Sequence, residues 1–313
     1  MDNVSFTMFT LSGSSDITNY RVTLFALTLL CYCVIWLVNV TIIVTIIVDK
    51  SLHEPMYIFL CNLCINGLYG TAGFYPKFLV DLLSNIHVIS YAGCFLQGFV
   101  LHSSVCTDFS LLVLMAYDRY VAICRPLVYH SVMTIQRVCV FLICFSWLTP
   151  FCLFSINVVL TSRLKLCGAS FRRLLCLNWL IVKLACPDAD TFSNSVVAYI
   201  IIFTYVLHVF FVMWTYMHLV ITCVRSKEDR VKFMQTCVPH LVSLITFAIT
   251  MVFDLMYMRF GATALPQSVE NFIAIEFLLI PPIMNPLIYG FKLTKKSIVW
   301  VACRLSYTVK EDL

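Results

Sequence analysis

Charged residues are scarce in this sequence. Asp, Glu, Lys and Arg make up 12% of the 313 residues, whereas hydrophobic residues make up 61%. A soluble domain carries about one-quarter charged residues. The composition therefore excludes an ordinary soluble domain and indicates an integral membrane protein.

Four segments contain no Asp, Glu, Lys or Arg and reach the roughly 20 residues that a helix needs to cross hydrocarbon. They are residues 22–48, 138–162, 191–224 and 233–253. Three further apolar segments contain isolated polar groups. We therefore predict an all-α membrane protein, a single domain over residues 1–313. Its seven helices are expected at approximately 22–48, 55–83, 92–124, 137–161, 191–224, 231–258 and 267–291, followed by a short amphipathic cytoplasmic helix at 292–305.

The distribution of basic residues predicts the orientation, because Lys and Arg concentrate in cytoplasmic loops. With the N-terminus outside, 13 of the 21 Lys and Arg residues fall on the inner side and 8 on the outer side. This favours a multi-pass plasma-membrane protein with an extracellular N-terminus. The first residues show no basic start followed by a short apolar core, so we expect no cleaved signal peptide. Asn3 begins the sequon Asn-Val-Ser and is a candidate glycosylation site, although sequons also occur by chance.

Most of the sixteen cysteines fall within the predicted spans, where they are expected to pack as small apolar side chains. Four lie on the predicted outer side: Cys94, Cys167, Cys176 and Cys186. An even number of cysteines on an oxidising face suggests two disulfides. Four cysteines allow three pairings, and the residues alone do not choose between them.

Several signatures of other functions are missing from the sequence. It contains no metal-ligand cluster, phosphate-binding loop or nucleophile constellation, so we expect no enzyme, no cofactor and no nucleic-acid partner. Transporters are often built from repeated halves, and no internal repeat is visible. A small-solute transporter is therefore a minor alternative.

The stretch "LMAYDRYVAICRPLVYH" at 114–130 ends the third predicted helix with the adjacent charges Asp118 and Arg119. A carboxylate can neutralise a guanidinium at the edge of the bilayer, and a released guanidinium can bond carbonyls or a partner. The pair could therefore form a latch. Simple anchoring at the membrane interface is the alternative, because Arg and Lys often end spans.

Further motifs accompany this pair. Asn285, Pro286 and Tyr289 form an Asn-Pro-x-x-Tyr sequence, Asn39 lies in the first span, and Cys94 precedes Arg119 by 25 residues. Together these features resemble a rhodopsin-like G-protein-coupled receptor over the full chain. Five strings narrow the resemblance to vertebrate odorant receptors, including those of fish: "LHEPMYIFL", "PKFL", "MAYDRYVAICRPLVYH", "TCVPHL" and "PPIMNPLIYG". A non-olfactory rhodopsin-like receptor is the alternative.

The resemblance implies roles for individual residues. It implies disulfides between Cys94 and Cys176 and between Cys167 and Cys186. It also implies a heterotrimeric G protein as partner, of the stimulatory olfactory type that raises cyclic AMP. Arg119 would leave Asp118 for this G protein on activation, and the inner segment 225–233 would dock the same partner. The activation residues would be Asp118, Arg119, Tyr120, Tyr205, Asn285, Pro286 and Tyr289.

The sequence departs from the family pattern at the second predicted helix. Gly67 stands where the family usually has an aspartate of a buried ion site, which puts sodium coupling in doubt. Asp108 lies one helix away and could face Asn285, forming an ion or proton site with fewer ligands. A protonated, hydrogen-bonded carboxyl is the alternative.

The resemblance also implies that a small-molecule odorant binds among the outer halves of the third, fifth, sixth and seventh helices. Apolar and chemically active residues recur there at helical spacing on the third helix. Arg259 on the sixth helix could bind a carboxylate, with Arg172, Arg173 and Lys183 forming a positive entrance, which favours an anionic or zwitterionic odorant. Alternatively Arg259 extends to the interface or pairs with an acid, and His102 is a satisfied interior histidine. The candidate ligand-binding residues are Leu101, His102, Val105, Cys106, Phe253, Leu255 and Arg259.

Overall fold

The computed structural model of this chain describes residues 8–11, 20–84, 86–171 and 173–225 together with shorter pieces. These pieces are 241–242, 244–245, 248–249, 269, 278–284 and 286. Four described helical segments are long and apolar enough to cross a membrane: Arg21–Val48, Tyr91–Cys124, Ile135–Ser162 and Phe192–Thr222. The predicted sixth and seventh helices lie mostly outside the described residues, and the amphipathic helix at 292–305 lies wholly outside them.

The described helices follow one another with short connections. They are α1 (Arg21–Val48), α2 (Pro55–Ala72), α3 (Tyr75–Leu83), α4 (Tyr91–Cys124), α5 (Tyr129–Val132), α6 (Ile135–Val140), α7 (Thr149–Ser162), α8 (Asn178–Val182) and α9 (Phe192–Arg225). Single 3₁₀ turns at Lys50–Leu52 and Pro126–Val128 precede α2 and α5. A π-helical segment, Phe141–Leu148, joins α6 to α7.

The second predicted helix is divided in two, so the prediction of one continuous helix over 55–83 is wrong. α2 ends at Ala72 and α3 begins at Tyr75. Pro76 explains the break, because proline has no backbone N–H and its ring collides with the carbonyl four residues earlier, which is that of Ala72. The segment is therefore interrupted between Ala72 and Tyr75.

The π-helical segment also ends at a proline. The backbone N–H of Thr149 donates to the carbonyl of Cys144, five residues earlier, and the Thr149 hydroxyl donates to the same carbonyl at 2.8 Å. Pro150 follows directly and cannot donate a backbone hydrogen bond. The wider turn accommodates the proline without interrupting the span.

A small sheet, which the all-α prediction did not include, covers part of the outer face of the bundle; inner and outer refer throughout to the predicted orientation. Strand β1 (Met8–Leu11) lies between β2 (Val88–Ser90) and β3 (Ser170–Phe171), antiparallel to β2 and parallel to β3. Phe9 and Leu11 are buried while the alternate residues are exposed, as the two-residue period of a strand requires. Phe9 packs its ring against Tyr91 and Phe171.

α4 lies at the centre of the bundle, and most of its side chains are buried, whereas α1 and α9 expose many large apolar side chains. The contact between α2 and α4 is close at Gly70. A Cβ at Gly70 would lie 2.2 Å from the Ser104 hydroxyl oxygen. Glycine therefore permits the two helices to pack at this distance and brings the polar residues of α4 next to α2.

Candidate functional site

Asp118 lies at the inner end of α4 and is fully buried. Arg119 donates from Nε to Asp118 Oδ2 at 2.9 Å, and its Nη2 contacts the same oxygen. The Tyr129 hydroxyl donates to the other oxygen, Oδ1, at 2.8 Å. Both carboxylate oxygens are therefore hydrogen-bonded. We call these three residues the inner latch.

Tyr129 was missing from the sequence prediction, although it lies inside the string that carried the resemblance. α5 places it beside α4, eleven residues after Asp118. Burial raises the pKa of the Tyr129 hydroxyl, and the negative charge of Asp118 raises it further. The hydroxyl therefore keeps its proton and remains a donor to the carboxylate throughout the physiological pH range.

Residues beside the latch form the inner surface of the described bundle. Leu127, in the 3₁₀ turn between α4 and α5, is 101% exposed, which is unusual for a large apolar side chain. Tyr120 is buried and packs against Trp214 and His218 of α9, while the Arg125 guanidinium lies 5.9 Å from the centre of the Tyr120 ring. Tyr120 therefore connects α4 to α9 next to the latch.

The structure places Tyr205 beside the middle of α4, and its role in activation stays a prediction. Its side chain interacts with Cys106 and Ser110, which are more than two turns outward from Arg119 on α4, and it stacks on His208. Tyr216 is the buried aromatic residue of α9 that joins the inner core cluster with Tyr120.

The four predicted ligand residues of α4 lie in three different environments. Leu101 is fully buried among residues of α3 and the loop after Cys167, and Val105 belongs to the large inner cluster. Cys106 packs with Phe154 of α7 and Ile201 of α9. His102 stacks on Phe154 with ring centres 5.2 Å apart, and its Nδ1 bonds the carbonyl of Gly98 at 2.7 Å. The structure therefore brings His102 and Cys106 together, facing α7 and α9, and separates Leu101 from them.

A buried polar network lies outward of His102, where α7, α8 and α9 meet. Asn178 Nδ2 donates to Asn157 Oδ1 at 2.7 Å, and Asn194 Nδ2 donates to the Thr161 hydroxyl at 2.8 Å. The Thr161 hydroxyl in turn donates to the Asn157 carbonyl at 2.9 Å. All four residues are buried. Sequence reasoning missed this network, although Asn157, Thr161 and Asn194 interrupt otherwise apolar spans.

Asp108 is buried in the middle of α4 next to the Asn66 side chain. Asn66 Nδ2 donates to the carbonyl of Ser104 at 2.8 Å. On the other side of α2, a Cβ at Gly67 would lie 3.6 Å from Asn39 Oδ1, and Asn39 Nδ2 donates to Ile35 and Pro282 carbonyls at 2.8 Å. Whether Asn285 faces Asp108 stays a prediction, because Asn285 lies outside the described residues.

Two disulfides join the outer cysteines. Cys94 is bonded to Cys176, and Cys167 is bonded to Cys186. This is the pairing that the resemblance implies. The first disulfide links the outer end of α4 to the loop before α8. The backbone of this loop packs closely against Gly98, where a Cβ would lie 3.3 Å from the Cys176 carbonyl oxygen.

The expected positive entrance is only partly described. Arg173 is 5% exposed, so it does not contribute to an exposed basic surface as predicted, because the loop folds over it. Lys183 is exposed and lies over the Trp179 ring at 5.9 Å. Pro286 is buried. The remaining predicted residues that lie outside the described part are Asn3, Arg172, Phe253, Leu255, Arg259, Asn285 and Tyr289.

A buried central helix carries a hydrogen-bonded Asp-Arg pair at its inner end and a disulfide at its outer end, as the resemblance to a helical membrane receptor predicts. Comparison with known proteins gives the family. The sequence model of the olfactory receptor family matches residues 28–305. The chain belongs to the olfactory receptor family.

Mammalian members of the family are similar over almost their whole length. The chain is 36% identical to human Olfactory receptor 4Q2 over 294 residues, covering 91% of this chain and 89% of that receptor. It is 32% identical to mouse Olfactory receptor 6E1, covering 93% of both, and 33% identical to human Olfactory receptor 11H6, covering 91% and 86%. The family implies an odorant-sensing G-protein-coupled receptor in a membrane, and not an enzyme.

Proposed function

We propose that the chain is a plasma-membrane odorant receptor with its N-terminus outside. A small molecule binds among the outer parts of α4 and α9 and the predicted sixth and seventh helices. Binding activates a stimulatory olfactory G protein and raises cyclic AMP. The observation that carries this proposal is the inner latch, in which both oxygens of the buried Asp118 are bonded by Arg119 and Tyr129.

The latch supports a two-state mechanism. A carboxylate taken out of water is stabilised only while its partners stay in place, so the latch favours the closed arrangement of the inner end. A state in which Arg119 leaves Asp118 makes the guanidinium available to a partner. An odorant shifts the equilibrium towards this state by its difference in affinity for the two states, and by no more.

The inner surface supports docking of the G protein beside the latch. Leu127 presents a fully exposed apolar side chain in the turn next to the latch, where a partner that contacts Arg119 would also meet it. The basic segment 225–233 begins at the end of α9 and adds positive charge on the same side. We propose that Leu127 enters an apolar pocket of the partner while Arg119 bonds its backbone.

An anionic or zwitterionic odorant is the proposed ligand for the part of the pocket near Arg259. Cells that express the receptor with an olfactory G protein would be challenged with amino acids, other carboxylates and neutral volatiles, with cyclic AMP as the readout. We expect anions to raise cyclic AMP and Arg259→Ala to abolish that response. Arg163→Ala, which removes an exposed cation of the outer loop, is the matched control. An unchanged anion response in Arg259→Ala contradicts the anion site but keeps the receptor.

A further inference from the structure

The polar network of Asn157, Thr161, Asn178 and Asn194 contains one unused acceptor. Asn178 Oδ1 is buried and has no hydrogen-bond partner among the described residues, whereas Nδ2 of the same side chain is bonded to Asn157. A buried amide oxygen without a donor costs free energy, of the order of 1–3 kcal/mol. The network thus leaves an acceptor on the inner side of the outer loop.

Asn178 lies next to the face of α4 that carries His102. The backbone nitrogen of Asn178 would be 3.6 Å from a Cβ at Gly98, so the start of α8 rests on α4 one turn outward from His102. Asn157 follows Phe154 by three residues on α7, and His102 stacks on Phe154. The Asn178–Asn157 pair is therefore one helical turn outward from the His102–Phe154 pair, on the same side of α4.

His102 adds a second acceptor in its neutral form. Its Nδ1 contacts the Gly98 carbonyl, which can only accept, so Nδ1 carries the hydrogen and Nε2 has the lone pair. The surrounding side chains of Phe99, Leu153, Val197 and Ile201 are apolar. Two acceptors beside an apolar cluster suit a molecule with an apolar body and a hydrogen-bond donor at its end.

We propose that Asn178 Oδ1 accepts a hydrogen bond from a hydroxyl group of the odorant, with the apolar body lying against Phe154 and Ile201. The proposal rests on the proposed odorant-receptor function and names the ligand class. It applies to neutral alcohols and to hydroxylated anions alike. A molecule that offers only acceptors in place of the hydroxyl leaves Asn178 unpaired and is disfavoured, because sites built to bond a hydroxyl reject analogues without one.

The test uses matched pairs of probes on the full receptor in cells. Straight-chain alcohols are compared with their methyl ethers, and hydroxy acids with the corresponding methoxy acids, by half-maximal concentration in the cyclic-AMP assay. We expect each hydroxyl compound to be about tenfold more potent than its ether. Asn178→Ala, which removes the acceptor oxygen, should abolish this preference.

A network control separates recognition from folding. Asn194→Ala breaks the bond to Thr161 but leaves Asn178 Oδ1 in place, so the hydroxyl preference should persist, with surface expression measured for each variant. Loss of the preference in Asn194→Ala as well as in Asn178→Ala would show a structural effect and overturn the proposal.

Three other outcomes overturn the proposed ligand class. Equal potency of alcohols and ethers shows that the receptor does not recognise the hydroxyl group. Higher potency of the methyl ethers shows that the paired amides are oriented the opposite way and present a donor. A response to anions with silence to every hydroxyl compound keeps the receptor function and rejects the proposal. Silence to all probe classes in cells that show surface expression contradicts the proposed function itself.

Discussion

Tyr129 donates a hydrogen bond to the buried carboxylate of Asp118, 2.8 Å away, and thereby joins the connection after α4 to the acidic residue of the latch. Arg119 bonds the other oxygen. The tyrosine thus adds a neutral donor to an ion pair, and its contribution can be removed without changing any charge.

Tyr129→Phe is therefore expected to raise basal signalling. Hydrogen bonds to charged groups contribute about 1.5–3 kcal/mol, and about 1.4 kcal/mol changes a population ratio tenfold. Because this bond favours the closed state, its loss should raise the ratio of open to closed receptor about ten- to hundredfold, and basal cyclic AMP should rise with that ratio. Ser131→Ala, which changes an exposed hydroxyl of the same short helix, is the control. Unaltered basal activity at equal surface expression would argue against a latch role for Tyr129.

Leu127→Asp should reduce coupling without reducing odorant binding. The side chain is wholly exposed, so its replacement removes no packing in the receptor, whereas a carboxylate would oppose entry into an apolar pocket of the partner. We expect at least a tenfold loss of agonist-induced cyclic AMP at normal surface expression. Leu127→Ile keeps the apolar surface and should couple normally. If both variants couple as the unsubstituted receptor does, the docking role is wrong.

Gly70→Ala should impair folding because the two helices have no space for a methyl group. The added Cβ would lie 2.2 Å from the Ser104 hydroxyl oxygen and 2.9 Å from its Cβ, and overpacking of this kind costs about 1–3 kcal/mol. Gly67→Ala is the matched control three residues earlier, since its Cβ would meet no atom closer than 3.5 Å. We expect reduced thermal stability of the detergent-solubilised receptor only for the Gly70 variant. Equal melting temperatures would disprove the close contact.

Phe9→Ala should destabilise the outer sheet. Phe9 is fully buried and contacts the rings of Tyr91 and Phe171, and truncation of a buried phenylalanine costs about 3–5 kcal/mol. We expect faster hydrogen exchange of β1 and β2. Met8→Ala, at an exposed neighbour in the same strand, should leave exchange almost unchanged. Similar exchange in the two variants would contradict the packing of Phe9.

The edge of the outer sheet at His87 should be weakened by acid. The pKa of His87 is lowered, chiefly by burial. The nearby Asp81 opposes this shift, and Arg21 and Lys77 add to it. The unfolded imidazole, with an ordinary pKa of about 6.5, binds a proton more readily than the folded one, so stability holds above that pH and falls below it. The His87 carbonyl accepts a hydrogen bond from Leu11 N–H at 2.9 Å, which couples the histidine to β1.

Hydrogen exchange of the Leu11 amide checks this prediction. After correction for the intrinsic effect of pH, protection should decrease between about pH 7 and pH 5. His87→Gln removes the titrating group and should abolish that decrease. An identical pH dependence in the variant would exclude His87 as its source.

The sequence alone determined the membrane class, the four long spans that the structure describes and the charged pair, because these follow from composition and local spacing. An apolar segment of about 20 residues without charges spans the bilayer as a helix, because a helix satisfies all its backbone hydrogen bonds internally. Asp118 and Arg119 are adjacent whatever the fold. The break between α2 and α3 could also have been predicted from Pro76, because the proline ring would collide with the Ala72 carbonyl in a continuous helix. The cysteines and the family strings indicated the outer disulfides and the receptor family.

Tertiary structure alone decided which distant residues meet. Met8–Leu11 is too short for a periodic signal, and its strand exists because β2 and β3 supply partners 80 and 160 residues later. Tyr129 reaches Asp118 only through the turn after α4. Tyr216 joins the core cluster around Tyr120 because α9 packs against α4. Asn157, Asn178 and Asn194 look like isolated polar residues in sequence. Their hydrogen bonds depend on three elements meeting, because long-range contacts follow from packing and not from local propensity.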